Sequence, residues 1–494
     1  MTDWEEFIRC HRGVLIAPAG HGKTTAIADC LLQCSEGSRQ LVLTHTHAGI
    51  ASLRTKFMKK EVPLNRYHLE TITGFAQRYV LSFLGNSVLP SEDDESYFNT
   101  AVEKCKELMR SSVVQNILTL SYGGVFVDEY QDCTIDQHQM VLELAHNLPL
   151  HLLGDPLQGI FSFDTKQIVD FDRDLRSFQH FNFLKSPWRW ENTNKVLGKV
   201  ILGIRKDLQK NNAVELQDNS DSGFIVEHCV AADDKYKKLS NILKNNDCDN
   251  VLIIYPSYKE LGEKGKFILK GGLTDRIRIK QRVDFNNQFS ILDAIDSKEY
   301  YACAKIIDTY ISNCKHGKKI QKVARFYDII KKLHFKMSVV QKWIDKDKNK
   351  LKNRTKDNAR LSSELKTLFQ TFESHPTLAD MQNIIDFIRR LPNVKCYHNI
   401  LYYTIKRCFD MALLNEVSMY DAMKNLKTRL RHQGRRVQGK HIGTTLLTKG
   451  LEFDTVILWD AHKFEDSKNF YVAISRACKR LVIMTETTNL NFNR

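Results

Sequence analysis

Residues 17–24, Ala-Pro-Ala-Gly-His-Gly-Lys-Thr, have the side-chain types and the spacing that bind a chain of phosphates. Gly20 and Gly22 allow the backbone to turn so that successive N–H groups surround a phosphate. Lys23 can reach the terminal phosphates, and the hydroxyl of Thr24 can hold Mg²⁺. The stretch therefore predicts a P-loop, although Ala17 stands where such loops usually begin with glycine.

The segments on either side of this loop are those that a P-loop requires. The apolar run Val14–Ile16 predicts a buried strand, and the apolar residues of 25–32 recur at helical spacing. A helix that starts directly after the loop adds the positive end of its dipole to the phosphate site. The order strand, turn, helix favours nucleotide binding over the alternative of a purely structural turn.

Two acids follow a second apolar strand. In Val125–Asp132 the apolar residues end at Asp128, which is placed to bind Mg²⁺ through water. Glu129 comes next and can orient and deprotonate an attacking water molecule. A solvated strand end is the alternative, but it does not explain consecutive acids after an apolar run in a chain with a P-loop.

Three further stretches place polar residues at the ends of predicted elements. In Leu153–Phe163 a strand ends in a turn that carries Gln158 and two aromatic residues, and core packing remains an alternative for Phe161. Thr444–Phe453 leads into a strand, and Tyr471–Ala477 opens a helix.

The elements that must position these residues alternate between short strands and amphipathic helices. This alternation covers most of the first 280 residues and resumes at His441, which indicates parallel α/β sheets. Between about 295 and 430 lysine-rich helical patterns replace the strands. Asn313–Arg360 alone carries 16 Lys and Arg against 4 Asp and Glu. The sequence predicts two α/β domains, the second of them split by a basic helical insertion.

Composition narrows the class of protein. The 494 residues carry a net charge of +15, which favours a polyanionic partner. The acidic start of the sequence does not resemble a signal peptide, and no apolar run approaches the roughly 20 residues that span a bilayer. The twelve cysteines include no C-x-x-C pair, so zinc-ribbon and iron–sulfur spacings are missing. We expect a reduced, cytoplasmic protein without a membrane partner.

Taken together and in this order, the motifs resemble those of the UvrD/Rep-like superfamily 1 DNA helicases. The strings Asp-Glu-Tyr-Gln-Asp, Lys-Gly-Leu-Glu-Phe and Ile-Ser-Arg-Ala carry most of the resemblance. It implies an α/β fold with two RecA-like P-loop NTPase domains. The implied bounds are 1–190 for the first domain with a small helical insertion at 78–120, 191–294 with 431–494 for the second, and 295–430 for the basic helical insertion.

The resemblance also implies roles for individual residues. Glu129, Gln158 and the arginine fingers Arg189 and Arg476 would be catalytic, and Thr24 and Asp128 would hold Mg²⁺. The nucleotide, ATP or another purine nucleoside triphosphate, would contact Ala19, Gly20, His21, Gly22, Lys23, Thr24, Thr25, Trp188, Gly450 and Glu452. DNA would contact His45, Thr46, Thr71, Phe163 and Thr444. Thr2 and Asp3 stand where these helicases carry an adenine-reading glutamine, so we expect little selectivity among purines.

The implied activity is NTP hydrolysis that drives 3′→5′ movement on single-stranded DNA. Within the family, the short first insertion resembles the helicase-like subunits of Gabija anti-phage systems. That likeness implies a hetero-oligomer with a nuclease partner that has ATPase and Toprim domains. The alternatives are an NTPase subunit that senses DNA ends with little unwinding, and a stand-alone DNA-repair helicase.

Overall fold

The computed structural model describes residues 3–492 apart from 93, 95, 161–166, 245–249, 264, 284–287, 293–297, 317–320 and 434–436. The chain forms two compact units. The first, here called the α/β unit, comprises Met1–Asp275 and Arg431–Arg494; the second, the helical unit, comprises Arg276–Leu430. The helical unit therefore begins earlier in the chain than the predicted residue 295.

The first half of the α/β unit is built on a parallel sheet. Its strands are β1 (Arg12–Ile16), β2 (Gln40–Thr44), β3 (Tyr67–Thr71), β4 (Gly124–Val127), β5 (Leu150–Gly154) and β6 (Gln179–Phe181). They lie side by side in the order β3-β2-β4-β5-β1-β6. Ile16 pairs with Gly154, and Thr44 pairs with Thr71. The segments that follow the strands therefore leave the sheet at one edge.

Helices connect these strands, as parallel pairing requires, and one further helix precedes β1 and another follows β6. They are α1 (Asp3–Arg9), α2 (Lys23–Gln33), α3 (His47–Lys59), α4 (Ile72–Leu84), α5 (Tyr97–Met109), α6 (Ser112–Ser121), α7 (Ile135–Leu144), α8 (Phe171–Asp174) and α9 (Trp188–Glu191). The C-terminal half of α4, all of α5 and all but the last residue of α6 lie in the region predicted as a small helical insertion.

Alternation along the strands explains why both faces of this sheet are apolar. Val125 and Val127 belong to a core on one face, and Phe126 belongs to the core on the other face. Val14 and Leu15 divide in the same way. Since successive strand residues point to opposite faces, a strand buried on both sides reads as an unbroken apolar run.

The next elements complete the first segment of the α/β unit and form the helical unit. The helices are α10 (Lys195–Asn211), α11 (Ala232–Lys244), α12 (Leu273–Val283), α13 (Lys298–Lys315), α14 (Lys322–Lys332), α15 (Met337–Val340), α16 (Ala359–Ser374), α17 (Leu378–Arg390), α18 (Asn399–Asn415) and α19 (Met419–Gln433). The strands are β7 (Ala213–Glu215), β8 (Phe224–His228), β9 (Val251–Ile254), β10 (Tyr258–Leu261), β11 (Phe267–Lys270), β12 (Phe289–Ile291), β13 (Ile344–Asp345) and β14 (Lys350–Leu351). The helical unit has its own apolar core, which includes Phe326, Ile330 and Phe372.

The last segment returns to the α/β unit with β15 (Lys440–Gly443), α20 (Thr445–Thr448), β16 (Phe453–Leu458), α21 (Ser467–Ile474), β17 (Ala477–Thr485) and β18 (Asn489–Asn491). Within this unit a second parallel sheet runs β15-β9-β16-β17-β8. Both Gly443 and Leu458 pair with Ile254, so the sheet joins the two chain segments of the unit. Two parallel sheets with connecting helices confirm the predicted α/β class. Among the helices described, none has the length and apolar character needed to cross a membrane.

Candidate nucleotide-binding site

The P-loop lies between β1 and α2 and has the backbone that the glycine spacing predicts. Gly20 and Gly22 have φ of 74° and 90°, in the left-handed region that favours glycine. A Cβ on Gly22 would lie 3.2 Å from Cδ1 of Trp188, and one on Gly20 would lie 2.9 Å from Cβ of Arg189. Gly22 is also the N-cap of α2, so the first amides of that helix face the loop. Side chains at these two positions would collide with Trp188 and Arg189, so glycine suits both the backbone and the space. The loop thus keeps the turn that can surround a phosphate with N–H groups.

Lys23 is buried at the start of α2. Its Nζ donates to the carbonyl oxygens of Ala17 at 2.6 Å and Pro18 at 3.1 Å. Burial lowers the pKa of Lys23, and the charges of Asp155 and Glu129 oppose that effect. The ammonium group is thus held inside the loop, where a terminal phosphate would exchange with the two carbonyls.

The acids that follow β4 lie against the P-loop. Thr24 Oγ1 donates to Asp128 Oδ2 at 3.2 Å, and the amide of Glu129 donates to Asp128 Oδ1 at 3.0 Å. Hydroxyl and carboxylate oxygens are the ligands that Mg²⁺ prefers, so Thr24 and Asp128 fit the predicted metal. Burial raises the pKa of Asp128, which is the expected behaviour of a carboxyl that binds a cation when one is present.

Glu129 differs from Asp128 in its charge environment. Burial would raise its pKa, but Lys449, Lys23 and other nearby cations outweigh burial and lower it. Gln131 Nε2 donates to Glu129 Oε2 at 2.5 Å, and the backbone of Glu129 has a φ of 58°. The ionised side chain can accept a hydrogen bond from a water molecule, as the predicted base must.

Gln158 and Arg476 connect the two halves of the α/β unit. Gln158 lies just after β5, and its Oε1 accepts from Arg476 Nη2 at 3.1 Å. Arg476 is buried and also donates from Nε to the carbonyl of Val472 at 2.9 Å. Burial and the neighbouring Arg189 lower the pKa of Arg476 to about 10, so its guanidinium stays charged at neutral pH.

Arg189 and Trp188 form the start of α9 at the mouth of the site. Arg189 Nη2 donates to Glu452 Oε1 at 2.9 Å, and Nη1 donates to the carbonyl oxygen of Ser475. The charge of Arg189 lowers the pKa of Glu452 to about 2. Trp188 is 57% exposed, although its ring lies beside Gly22. An exposed indole beside a P-loop is suited to stack on a nucleobase.

These residues surround one cavity of about 430 Å³. The predicted residues that line it are Ala19, Gly20, Gly22, Lys23, Thr24, Thr25, His45, Thr46, Asp128, Glu129, Gln158, Trp188, Arg189, Gly450, Glu452 and Arg476. His21 is buried in the loop, with its Nδ1 3.0 Å from the carbonyl oxygen of Ala19. Residues from both halves thus meet around a space of the size that small-molecule sites have.

The residues predicted to contact DNA are more scattered. His45 and Thr46 line the nucleotide cavity, and His45 Nε2 lies 3.2 Å from Cys133 Sγ. Burial and Lys449 lower the pKa of His45 to about 3, so its ring is neutral. Thr46 and the buried Thr71 accept from backbone amides as caps of α3 and α4. Thr444 is half-buried at the N-cap of α20, and Phe163 lies outside the described residues.

Sequence reasoning missed two buried ion pairs at this site. Lys449 Nζ donates to Asp132 Oδ2 and lies 3.8 Å from Glu129 Oε2. Arg205, on α10, pairs with Asp155. Lys449 and Asp132 stand inside predicted motifs, so their position in the sequence could have marked them as site residues. Arg205 lies in no motif, and nothing local marks it.

Two other clusters in the described part of the chain bring carboxylates and histidines together. In the first, His334 Nε2 lies 2.6 Å from Glu299 Oε1, close to His398. In the second, Asp460 lies near His462 and Glu486 and accepts from Lys235 and Lys463. In the first cluster the carboxylate of Glu299 is already paired with His334, and in the second cluster lysine ammonium groups contact Asp460. Because these groups occupy the positions that a cation would take, neither cluster is a metal site.

Comparison with known proteins agrees with this geometry. Residues 92–179 match the UvrD/REP helicase N-terminal domain, and this segment contains Asp128, Glu129 and Gln158. This segment is similar to UvrD-type helicases. The P-loop and the two arginines lie outside the matched segment.

Two curated proteins are similar to short stretches of this chain. The RecBCD enzyme subunit RecB of Buchnera aphidicola subsp. Schizaphis graminum is 29% identical over 86 residues, which are 17% of this chain and 7% of that protein. An ATP-dependent helicase/nuclease subunit of Alkaliphilus metalliredigens is 27% identical over 106 residues, 22% of this chain and 8% of that protein. The match thus spans less than a tenth of each relative's length.

Proposed function

We propose that this chain is an ATP-dependent DNA helicase or translocase that moves 3′→5′ on single-stranded DNA. The observation that carries the proposal is the meeting of Lys23, Glu129 and Gln158 with Arg189 and Arg476 around one cavity. A cation for the terminal phosphates, a carboxylate for water and two arginines are the parts that phosphoryl transfer to water requires.

Each residue then has a stated task. Lys23 leaves the carbonyls of Ala17 and Pro18 and contacts the terminal phosphates. Glu129 accepts a proton from the attacking water, whose oxygen bonds to the terminal phosphorus as the bond from that phosphorus to the ADP oxygen breaks. Arg189 and Arg476 offset the negative charge that develops on the transferred group. Thr24 and Asp128 would hold Mg²⁺, which would supply further charge neutralisation at the phosphates.

Movement would follow from the position of the site. Because its residues come from both halves of the α/β unit, binding and release of the nucleotide change the contacts between the halves. Opening and closing of such a cleft can shift a DNA strand along a groove of stacking residues, among which we place Phe163. The net charge of +15 favours binding of the phosphate backbone.

The test is ATP hydrolysis without DNA and with single strands, closed circular duplex and blunt-ended duplex. Strand separation is measured in parallel on duplexes with a 3′ or a 5′ single-stranded tail. We expect hydrolysis to rise with single strands and separation to require the 3′ tail, and Glu129→Gln is the inactive control. Hydrolysis that ignores DNA, or separation from the 5′ tail only, would contradict the proposal.

A second candidate function retains NTP hydrolysis but not independent movement along DNA. In it the chain is a DNA-end-responsive subunit of an anti-phage nuclease complex. The names of the relatives, RecB of the RecBCD enzyme together with a helicase/nuclease subunit, support an association with nucleases. The short segment between α4 and β4 leaves little surface for engaging duplex. The partner we propose is a nuclease with ATPase and Toprim domains.

Addition of that nuclease distinguishes the candidates. For the second candidate, hydrolysis rises steeply when the nuclease supplies DNA ends, and strand separation stays weak. Robust unwinding of long duplexes by the isolated chain, unchanged by the nuclease, would indicate a stand-alone repair helicase.

A further inference from the structure

Arg205 is a buried arginine on α10 that belongs to none of the motifs. It is 8% exposed, and its guanidinium makes two parallel hydrogen bonds to Asp155, at 2.8 Å and 2.9 Å. Asp155 follows β5 directly and is completely buried. The pair joins the two halves of the α/β unit, and arginine is almost never buried without such a partner.

Asp155 connects Arg205 to a predicted catalytic residue. Its Oδ2 also accepts from Gln158 Nε2 at 2.8 Å, and Gln158 Oε1 accepts from Arg476 at 3.1 Å. Only this orientation of the Gln158 amide satisfies both neighbours, because a carboxylate accepts and a guanidinium donates. The chain of contacts Arg205–Asp155–Gln158–Arg476 therefore sets which end of the amide faces the arginine finger.

A second path leads from Arg205 to the P-loop. Its guanidinium lies over the ring of Tyr471, 5.0 Å from the centroid. The Tyr471 hydroxyl accepts a hydrogen bond from the amide of Ala19 at 3.2 Å. One buried side chain thus supports two groups that face the nucleotide cavity.

Asp155 has a second cation within its electrostatic reach. Arg205 and then Lys23 are the positive charges that hold the pKa of Asp155 down despite its burial. If Arg205 is removed, Asp155 loses its two guanidinium hydrogen bonds, and Gln158 loses the fixed carboxylate that orients its amide.

We propose that Arg205 is a positioning residue for ATP hydrolysis, which holds Asp155 so that Gln158 faces Arg476. The inference rests on the proposed function, and it adds a residue that does not line the described cavity. The expected signature is a loss in kcat larger than the loss in nucleotide affinity, because the positioned groups act on the transferred phosphoryl group.

The principal variant is Arg205→Lys, which keeps a positive charge beside Asp155 and loses the two-pronged geometry. We expect kcat to fall on the order of tenfold to a hundredfold, as misplacement of catalytic groups does. Binding of a fluorescent ATP analogue should change far less. A second variant, Arg205→Met, removes the charge altogether. Its matched control is Lys206→Met, at an exposed neighbour on the same helix.

A double-mutant cycle with Gln158→Ala separates positioning from general support of the fold. If Arg205 acts through Gln158, adding Arg205→Lys to Gln158→Ala lowers kcat little further. Losses that multiply, or an Arg205→Lys protein with wild-type kcat, would overturn the inference. If Arg205→Lys unfolds below the assay temperature, the double variant Arg205→Met/Asp155→Asn replaces it. That variant removes both buried charges, and its kcat is compared with and without Gln158→Ala in the same way. Absence of hydrolysis by the wild-type chain would instead reject the proposed function.

Discussion

Removal of the Lys449 ammonium should destabilise the α/β unit. The side chains of Lys449 and Asp132 are only 2% and 0% exposed, and Lys449 Nζ donates to Asp132 Oδ2. Lys449→Met leaves the carboxylate of Asp132 buried without its cation. Breaking a buried pair in this way costs about 3–5 kcal/mol of the free energy of unfolding.

Removal of the Asp132 carboxylate should lower the free energy of unfolding by less than removal of the Lys449 ammonium. Asp132→Asn leaves Lys449 with Glu129, whose Oε2 lies 3.8 Å from its Nζ and can accept it after a small movement. We expect a loss of roughly 1–3 kcal/mol, typical of an incompletely satisfied buried group. The double variant should lose less than the sum of the two, since neither unpaired charge remains.

Thermal unfolding followed by tryptophan fluorescence measures the difference. At roughly 2 °C per kcal/mol for a large domain, Lys449→Met should lower Tm by about 6–10 °C. Lys199→Met, an exposed lysine on α10, is the control and should leave Tm nearly unchanged. If Lys449→Met melts with the control, or if the two single losses simply add, the reasoning from a buried pair is wrong.

Three further outcomes test the site. Glu129→Gln should lower steady-state phosphate release by roughly 10²–10⁴-fold. It should leave the Kd for ATP nearly unchanged because Asp128, the predicted Mg²⁺ ligand, is intact, and a parallel loss of binding would contradict the assignment. Trp188→Ala should weaken ATP binding by roughly 1–3 kcal/mol in a titration, with no change in Tm because the indole is exposed; a lower Tm with unchanged binding would refute stacking. The folded pKa of Glu452 is about 2, below its ordinary value of 4.5, so its pairing with Arg189 stabilises the fold above pH 4.5 and is lost toward pH 2. The Tm difference between wild type and Glu452→Gln should therefore shrink as pH falls from 6 to 3, and a constant difference would argue against the ion pair.

The sequence by itself determined the parts of this protein whose signals are local. The strand β1, the glycine turn and α2 follow from a few consecutive residues, since φ preferences and apolar spacing act over one or two turns of chain. The same holds for Asp128 and Glu129, which stand directly after an apolar strand. The α/β class, which the structure confirms, followed from the alternation of such elements. The strands β4 and β16 lie close to the positions that the sequence predicts.

Only the tertiary structure decided which distant side chains meet. Lys449 and Asp132 are 317 residues apart, and Arg205 and Asp155 are 50 apart. A buried ion pair leaves no periodic trace in a sequence, because each partner resembles a surface charge until the fold removes its water. The environment of His45, which the resemblance predicts to contact DNA, likewise follows from the fold alone. His45 lies beside Cys133 at the cavity, where burial keeps its ring neutral.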